Sequence, residues 1–411
     1  MSIKNKKVKI TIALFGILIM FFSNIIAVSY TYPVNKNKYT KVSSISTIAS
    51  NPEFSFESEA QVLMEPTTGE ILYANNENEK LLPASVTKVM TMLIIMEHID
   101  SGKISYTDKI ICSAKASGMG GSQIWFKQGE ELTVDEALKA IAVVSANDVC
   151  VAFSEHIGGS EENFVNMMNK KAKELGMENT NFMNCHGIDE ENHYTTAKDI
   201  AIMSRELINN HPDILKYTCI WQDTLRNGEF GLNSTNKLIR FYDGATGLKT
   251  GSTSQALFNL SVTATRNGTS FIAVVMKAPS SAVRLEEVKQ LLDYGFANYE
   301  MKKICEKEVV TGDFDVNKSI NKNPQAKIEK DVTILSDKGA KIETIEKITY
   351  YDNITAPINS GEVVGKIEMF NKDTNEKIGE CNLVISEDMP RAKFVDYIKM
   401  IFKMYLIKNE E

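Results

Sequence analysis

From Val86 to Met96 the chain reads Val-Thr-Lys-Val-Met-Thr-Met-Leu-Ile-Ile-Met, with Lys88 as its only charge. Apolar side chains on every face of a helical period predict a helix buried all round, within the helical stretch 85–98. Whatever the rest of the chain does, it must enclose that helix. Ser85 stands at its start, after Pro83-Ala84, and Lys88 follows one turn later on the same face. Burial of the lysine disfavours its ammonium form. A neutral amine beside a hydroxyl is a general base beside a nucleophile. Alone, Ser-x-x-Lys is weak and is better read as a capped helix with a lysine whose head reaches water.

Two further motifs follow. Ser145-Ala146-Asn147 offers a hydroxyl and an amide two residues apart, which in a loop can point the same way: one relays a proton, the other holds a substrate carbonyl. Lys249-Thr250-Gly251-Ser252 offers a cation and a hydroxyl as a seat for a carboxylate. On a strand, Lys249 and Gly251 share one side, and Gly251 permits a close backbone approach. Ser145 follows Ser85 by 60 positions and Lys249 follows Ser145 by 104. Each motif is weak by itself, but the order S-x-x-K, S-x-N, K-T-G is that of β-lactamases and penicillin-binding proteins.

With these residues in place, the chain resembles the low-molecular-mass penicillin-binding proteins that act as D-alanyl-D-alanine carboxypeptidases. The resemblance runs from about Phe56 to Tyr299. It includes Glu155-His156-Ile157-Gly158-Gly159, Thr180-Asn181-Phe182-Met183-Asn184 before His186-Gly187, and Asn192-His193-Tyr194-Thr195-Thr196-Ala197. It continues in Asn236-Lys237-Leu238 and Leu291-Leu292-Asp293-Tyr294-Gly295-Phe296. Cys185 departs from the family, where proline is common. The resemblance implies Ser85 as the acylated nucleophile, Lys88 as its base and Ser145 as the relay to the leaving amine. It implies Asn147 as a peptide ligand, Lys249 and Thr250 as carboxylate ligands, and Arg284 as a further carboxylate clamp. The Ser85 and Ser252 N–H groups would form the oxyanion hole. Peptidoglycan stem peptides and β-lactams are the implied ligands. A D,D-endopeptidase of the same fold is an alternative. A class A-like β-lactamase is a weaker one, because the chain reads Asn181-Phe182-Met183-Asn184 where a deacylating glutamate belongs.

The pattern along the chain is α+β: a penicillin-binding/β-lactamase-like transpeptidase domain at 54–300, a small all-β domain at 301–389 and an amphipathic helix at 390–411. Strands are expected at Ala60–Met64, Ile71–Tyr73, 255–264 and 270–277, the last two joined at Asn267-Gly268. Helices are expected at 134–155, 161–174, 196–209 and 284–299 as well as 85–98. Lys4, Lys6, Lys7 and Lys9 precede an uncharged run to Val28. That order predicts a signal peptide over 1–29, cleaved before Tyr30 or kept as an anchor, and then a polar linker over 30–53. In both cases the rest lies outside the cytoplasm. From Phe394 to Ile407 the only charges are Asp396, Lys399 and Lys403, gathered on one helical face, which suits a helix lying in a membrane surface.

Other classes fit poorly. A formal net charge of -7 argues against a nucleic-acid partner. The chain has no H-E-x-x-H zinc helix and no G-x-S-x-G elbow, so neither a metal nor another cofactor is expected. His98, His156, His186, His193 and His211 lack ligand spacing and are expected to be structural. The six cysteines are widely spaced and expected to be mostly buried thiols.

Overall fold

The computed structural model describes residues 53–399, apart from 308, 311–313 and 322–323. The expected signal peptide, nearly all of the linker and the expected helix beyond Lys399 lie outside the described residues.

The first sheet has five antiparallel strands: β1 (Ala60–Met64), β2 (Ile71–Asn75), β3 (Ala245–Thr253), β4 (Leu257–Arg266) and β5 (Thr269–Ala278), in the order β2-β1-β5-β4-β3. Asn267 and Gly268 both take positive φ, 51° and 79°, which matches the right-handed twist of the β4–β5 hairpin. The strands are buried on both faces, and the period of two divides their side chains between two cores. Val62, Met64, Ile272, Val274 and Met276 face a helical lobe, whereas Leu63, Phe271, Ala273 and Val275 face the opposite side.

The helical lobe comprises α1 (Lys88–Asp100), α2 (Val134–Val144), α3 (Asn147–Gly158), α4 (Glu161–Glu174) and α5 (Ala197–Asn210). The expected helix 134–155 is in fact two. Ser145 takes a left-handed φ of 66° and breaks it, with its N–H still donating to Ile141 O at 3.1 Å. A capping box of Thr133 and Glu136 sets the start of α2. Helix α1 is buried from Lys88 through Met96, as its apolar circumference requires. Helix α6 (Ser281–Asn298) covers the other face of the sheet through Val288, Leu291, Leu292 and Phe296.

At Tyr299 the chain turns from helix to strand. Strand β6 (Tyr299–Cys305) precedes β7 (Val309–Val310), β8 (Ala326–Ile328), β9 (Val332–Asp337), β10 (Thr344–Tyr350), β11 (Val363–Asn371) and β12 (Lys377–Ile385). Strands β6 and β9 pair, and a second five-stranded sheet runs β7-β8-β12-β11-β10. This module has its own core, including Ile334, Ile367, Met369 and Leu383. It is tied to the first part by Lys338 Nζ on Phe296 O at 2.7 Å and by Tyr299 and Leu335, which pack with α6. A helical turn begins at 394 and leaves Phe394 78% and Val395 58% exposed. No helix among the described residues is long and apolar enough to cross a membrane.

Candidate active site

Ser85 lies in a short 3-10 turn, Ala84–Thr87, rather than on the α-helix that starts at Lys88. The tighter turn still presents residue 85 to residue 88. Lys88 Nζ lies 2.9 Å from Ser85 Oγ, 2.7 Å from Asn147 Oδ1 and 2.6 Å from the carbonyl oxygen of His186. The lysine is fully buried, and burial lowers its pKa from the usual lysine range. A neutral amine has two N–H donors and one lone pair. Asn147 Oδ1 and His186 O can only accept, so they take the two donors and leave the lone pair for the Ser85 hydroxyl. A neutral amine so arranged can chemically accept the Ser85 hydroxyl proton.

The break between α2 and α3 brings Ser145 and Asn147 to the same place. Ser145 Oγ is buried and has no hydrogen-bond partner among the described residues. Asn147 Nδ2 donates to Gly120 O at 2.8 Å, and its N–H donates to Ser122 O at 2.7 Å, so the 120–122 loop anchors the amide.

Strand β3 forms the opposite wall. It is an edge strand, so alternate backbone N–H and C=O groups are unpaired by the sheet. Lys249 is buried and donates to Thr250 O at 2.8 Å. Burial holds its pKa well below the usual lysine value. Thr250 Oγ1 donates to Thr235 Oγ1 at 2.7 Å. At Gly251 the chain's own turn comes close. A Cβ at Gly251 would sit 2.9 Å from Pro83 O, Ser85 N and Val86 N. Ser252, next on the strand, is exposed.

Arg284 is buried beneath this strand. Its Nη1 donates to Asn259 O at 3.1 Å, and Asn259 pairs with Gly251 across the sheet; its Nη2 donates to Ser281 Oγ at 3.2 Å. Burial lowers its pKa to about 10. Two of its nitrogens are thus engaged in supporting the sheet, and Nε is buried without a partner among the described residues.

Sequence reasoning missed the carbonyls of His186, Gly120 and Ser122 and the Thr235 hydroxyl. Backbone acceptors have no residue signature, and the only hint was the His186-Gly187 pair. The six cysteines are free thiols, Cys219 exposed and the others buried. Burial pushes the Cys150 thiol up to about 12, so it stays neutral behind Lys88. Elsewhere Glu97, Glu206 and His211 bring ligand atoms within 4.8 Å of one another. Lys171 already pairs with Glu97 at 2.7 Å and His211 Nδ1 lies 2.5 Å from Asp100 Oδ2, so the group has partners within the protein.

Comparison with known proteins identifies the family. Residues 45–280 match the D-alanyl-D-alanine carboxypeptidase family of serine peptidases, and residues 299–391 match the C-terminal domain of penicillin-binding protein 5. The D-alanyl-D-alanine carboxypeptidase DacF of Bacillus subtilis is 42% identical over 351 residues, covering 84% of this chain and 90% of that protein. Penicillin-binding protein 5 of Haemophilus influenzae superposes with a TM-score of 0.67 at 31% identity, over 83% of this chain and 100% of that one. Penicillin-binding protein D2 of Listeria monocytogenes, solved in its ampicillin-bound form, superposes at 0.55 and 29% identity, over 60% of this chain and 100% of its own. By motif, fold and similarity alike, this chain belongs to the D-alanyl-D-alanine carboxypeptidase family of serine peptidases.

Proposed function

We propose that this protein is a serine-type D-alanyl-D-alanine carboxypeptidase that removes the terminal D-alanine from peptidoglycan stem pentapeptides through an acyl-enzyme on Ser85. The observation that carries the reading is the amine of Lys88, with two acceptors on its two donors and Ser85 Oγ 2.9 Å away. The peptide adds as a strand along the free edge of β3. Lys88 takes the Ser85 proton as Oγ attacks the penultimate carbonyl. The Ser85 and Ser252 N–H groups hold the oxyanion. The proton passes through Ser145 to the leaving D-alanine nitrogen, and water later cleaves the ester. Asn147 supports the acyl chain. Penicillins acylate the same serine, in keeping with the ampicillin-bound relative.

Lys249 and Thr250 seat the terminal carboxylate beside Ser252, with Arg284 contributing positive charge from beneath. In the free protein, burial favours the uncharged Lys249; an arriving carboxylate restores its proton. A peptide ending in D-Ala-D-Ala should therefore be cut about a hundredfold faster than its C-terminal amide, the cost of about 2–3 kcal/mol for a charge-assisted contact. Parallel rates of D-alanine and D-alaninamide release test this. Equal rates would overturn the carboxylate seat and favour cleavage of internal cross-links by an endopeptidase. Gly251→Ala should also lower acylation by penicillin about tenfold or more, because the new Cβ must displace backbone atoms of the Ser85 turn. Unchanged acylation would mean that the turn yields freely.

The protein acts outside the cytoplasm in this reading, exported by its lysine-led apolar N-terminus. The C-terminal segment then rests on the membrane. Phe394, Val395, Tyr397 and Ile398 are all at least 38% exposed and have no covering surface in the β module among the described residues. A chain beginning at Tyr30 should bind liposomes of anionic lipid, and truncation after Pro390 should release it without lowering activity on a soluble peptide. Binding indifferent to the truncation would place the attachment elsewhere.

A further inference from the structure

The proposed chemistry uses the carbonyl of His186 but leaves the imidazole of His193 without a task. His193 is 1% exposed, and both of its ring nitrogens are engaged. Nδ1 accepts the Met183 N–H at 3.0 Å, and Nε2 lies 2.8 Å from Thr87 Oγ1. An N–H can only donate, so Nδ1 is the bare nitrogen and the ring proton sits on Nε2. Nε2–H therefore donates to Thr87 Oγ1, and the hydroxyl proton of Thr87 goes to Ala84 O at 2.9 Å. The chain of bonds has one direction: Met183 N–H to His193, His193 to Thr87, Thr87 to Ala84 O. Burial lowers the His193 pKa to about 4, which keeps the ring in the single-donor form that this direction needs.

Ala84 immediately precedes Ser85 and holds a left-handed φ of 48°, costly for a residue with a Cβ. Its carbonyl is gripped from two sides. Thr87 donates to it, and Gly187 approaches so closely that a Cβ there would lie 1.9 Å from Ala84 O. Ala84 C=O and Ser85 N–H belong to one planar peptide unit and point in opposite directions. Fixing the oxygen therefore fixes the N–H, and the nitrogen lies on the side where Gly251 makes room.

We infer that His193 and Thr87 are positioning residues for the oxyanion hole: through Ala84 O they aim the Ser85 N–H at the developing oxyanion. This rests on Ser85 being the nucleophile. The contribution is made in the transition state, so its loss lowers the acylation rate and leaves ground-state binding alone.

The test uses four variants of the full chain, with the penicillin acylation rate constant, the dissociation constant of the preceding complex and the thermal midpoint measured for each. Thr87→Val removes the hydroxyl at nearly constant shape, whereas Thr87→Ser restores it. His193→Asn keeps an acceptor where Nδ1 stood but cannot reach Thr87; His193→Gln puts a donor where Nε2 stood but gives up the Met183 contact. Thr87→Val and His193→Asn should each lose about tenfold in acylation rate constant at unchanged dissociation constant. Thr87→Ser and His193→Gln should recover most of it. If His193→Asn acylates as well as His193→Gln, or if the rates simply follow the thermal midpoints, the inference is overturned; the histidine pair decides even if Thr87→Val fails to fold. A wild-type penicilloyl group mapped to a residue other than Ser85 would instead remove the reading beneath it.

Discussion

Ser85→Ala should lose covalent labelling by penicillin and D-alanine release together, each by about 10⁴-fold or more, with little change in thermal midpoint. The size follows from its role: no other hydroxyl among the described residues combines a neighbouring amine at 2.9 Å with a glycine-lined approach to an edge strand. The fold should tolerate the change because the lost hydroxyl contacts Lys88 Nζ and holds no part of the turn. That work falls to Thr87 on Ala84 O and to Val86 N–H on Pro83 O at 3.2 Å. Gel fluorescence after exposure to a fluorescent penicillin reads the first loss, and a D-amino-acid oxidase assay reads the second. Retained labelling of Ser85→Ala would mean that another nucleophile is at work.

The second large effect is at Lys88. Lys88→Arg keeps a cation but cannot surrender its proton, so it should acylate about 10²–10⁴-fold more slowly. The sign of the pH dependence follows from burial. Desolvation lowers the Lys88 pKa, and the amine works only when uncharged. Acylation by wild type should therefore rise with pH as the ammonium is lost, then level once deprotonation is complete. Asn147→Leu removes one acceptor that engages an N–H of Lys88, so it should weaken acylation while leaving labelling on Ser85. Stopped-flow acylation across pH checks all three; a pH-independent rate, or an active Lys88→Arg, would remove the lysine from the base's role.

How much of this was visible beforehand varies with the kind of signal. Helix α4 was readable to the residue, Glu161–Glu174, because Ser160 caps it and its apolar residues recur on one face. The core helix was plain from its apolar circumference, although it was expected at 85–98 and runs Lys88–Asp100 after a 3-10 turn. The break at Ser145 was not, since Val143, Val144 and Val149 carry an apolar pattern straight across it, and left-handed geometry at a serine has no local code. The order of the three motifs singled out Ser85, Lys88, Ser145, Asn147, Lys249 and Thr250 together, but their chemistry depends on partners that the motifs do not contain. His186 contributes a backbone oxygen, His193 a neutral ring and Gly187 an absent Cβ. Each looks bland in sequence because its role is positional. Arg284 was readable as a charge near the site, whereas its engagement with Asn259 O and Ser281 emerges only when α6 packs on the sheet.

The most direct test of the account is to trap the acyl-enzyme from a natural-type substrate. The intact protein is mixed with a stem pentapeptide ending in D-Ala-D-Ala, quenched in acid within the first turnover, digested and mapped by mass spectrometry, with free D-alanine counted in the same sample. The expected result is the tetrapeptidyl group as an ester on Ser85 and one D-alanine released per adduct formed. D-alanine released with no adduct at any time, or an adduct on any other residue, would contradict it.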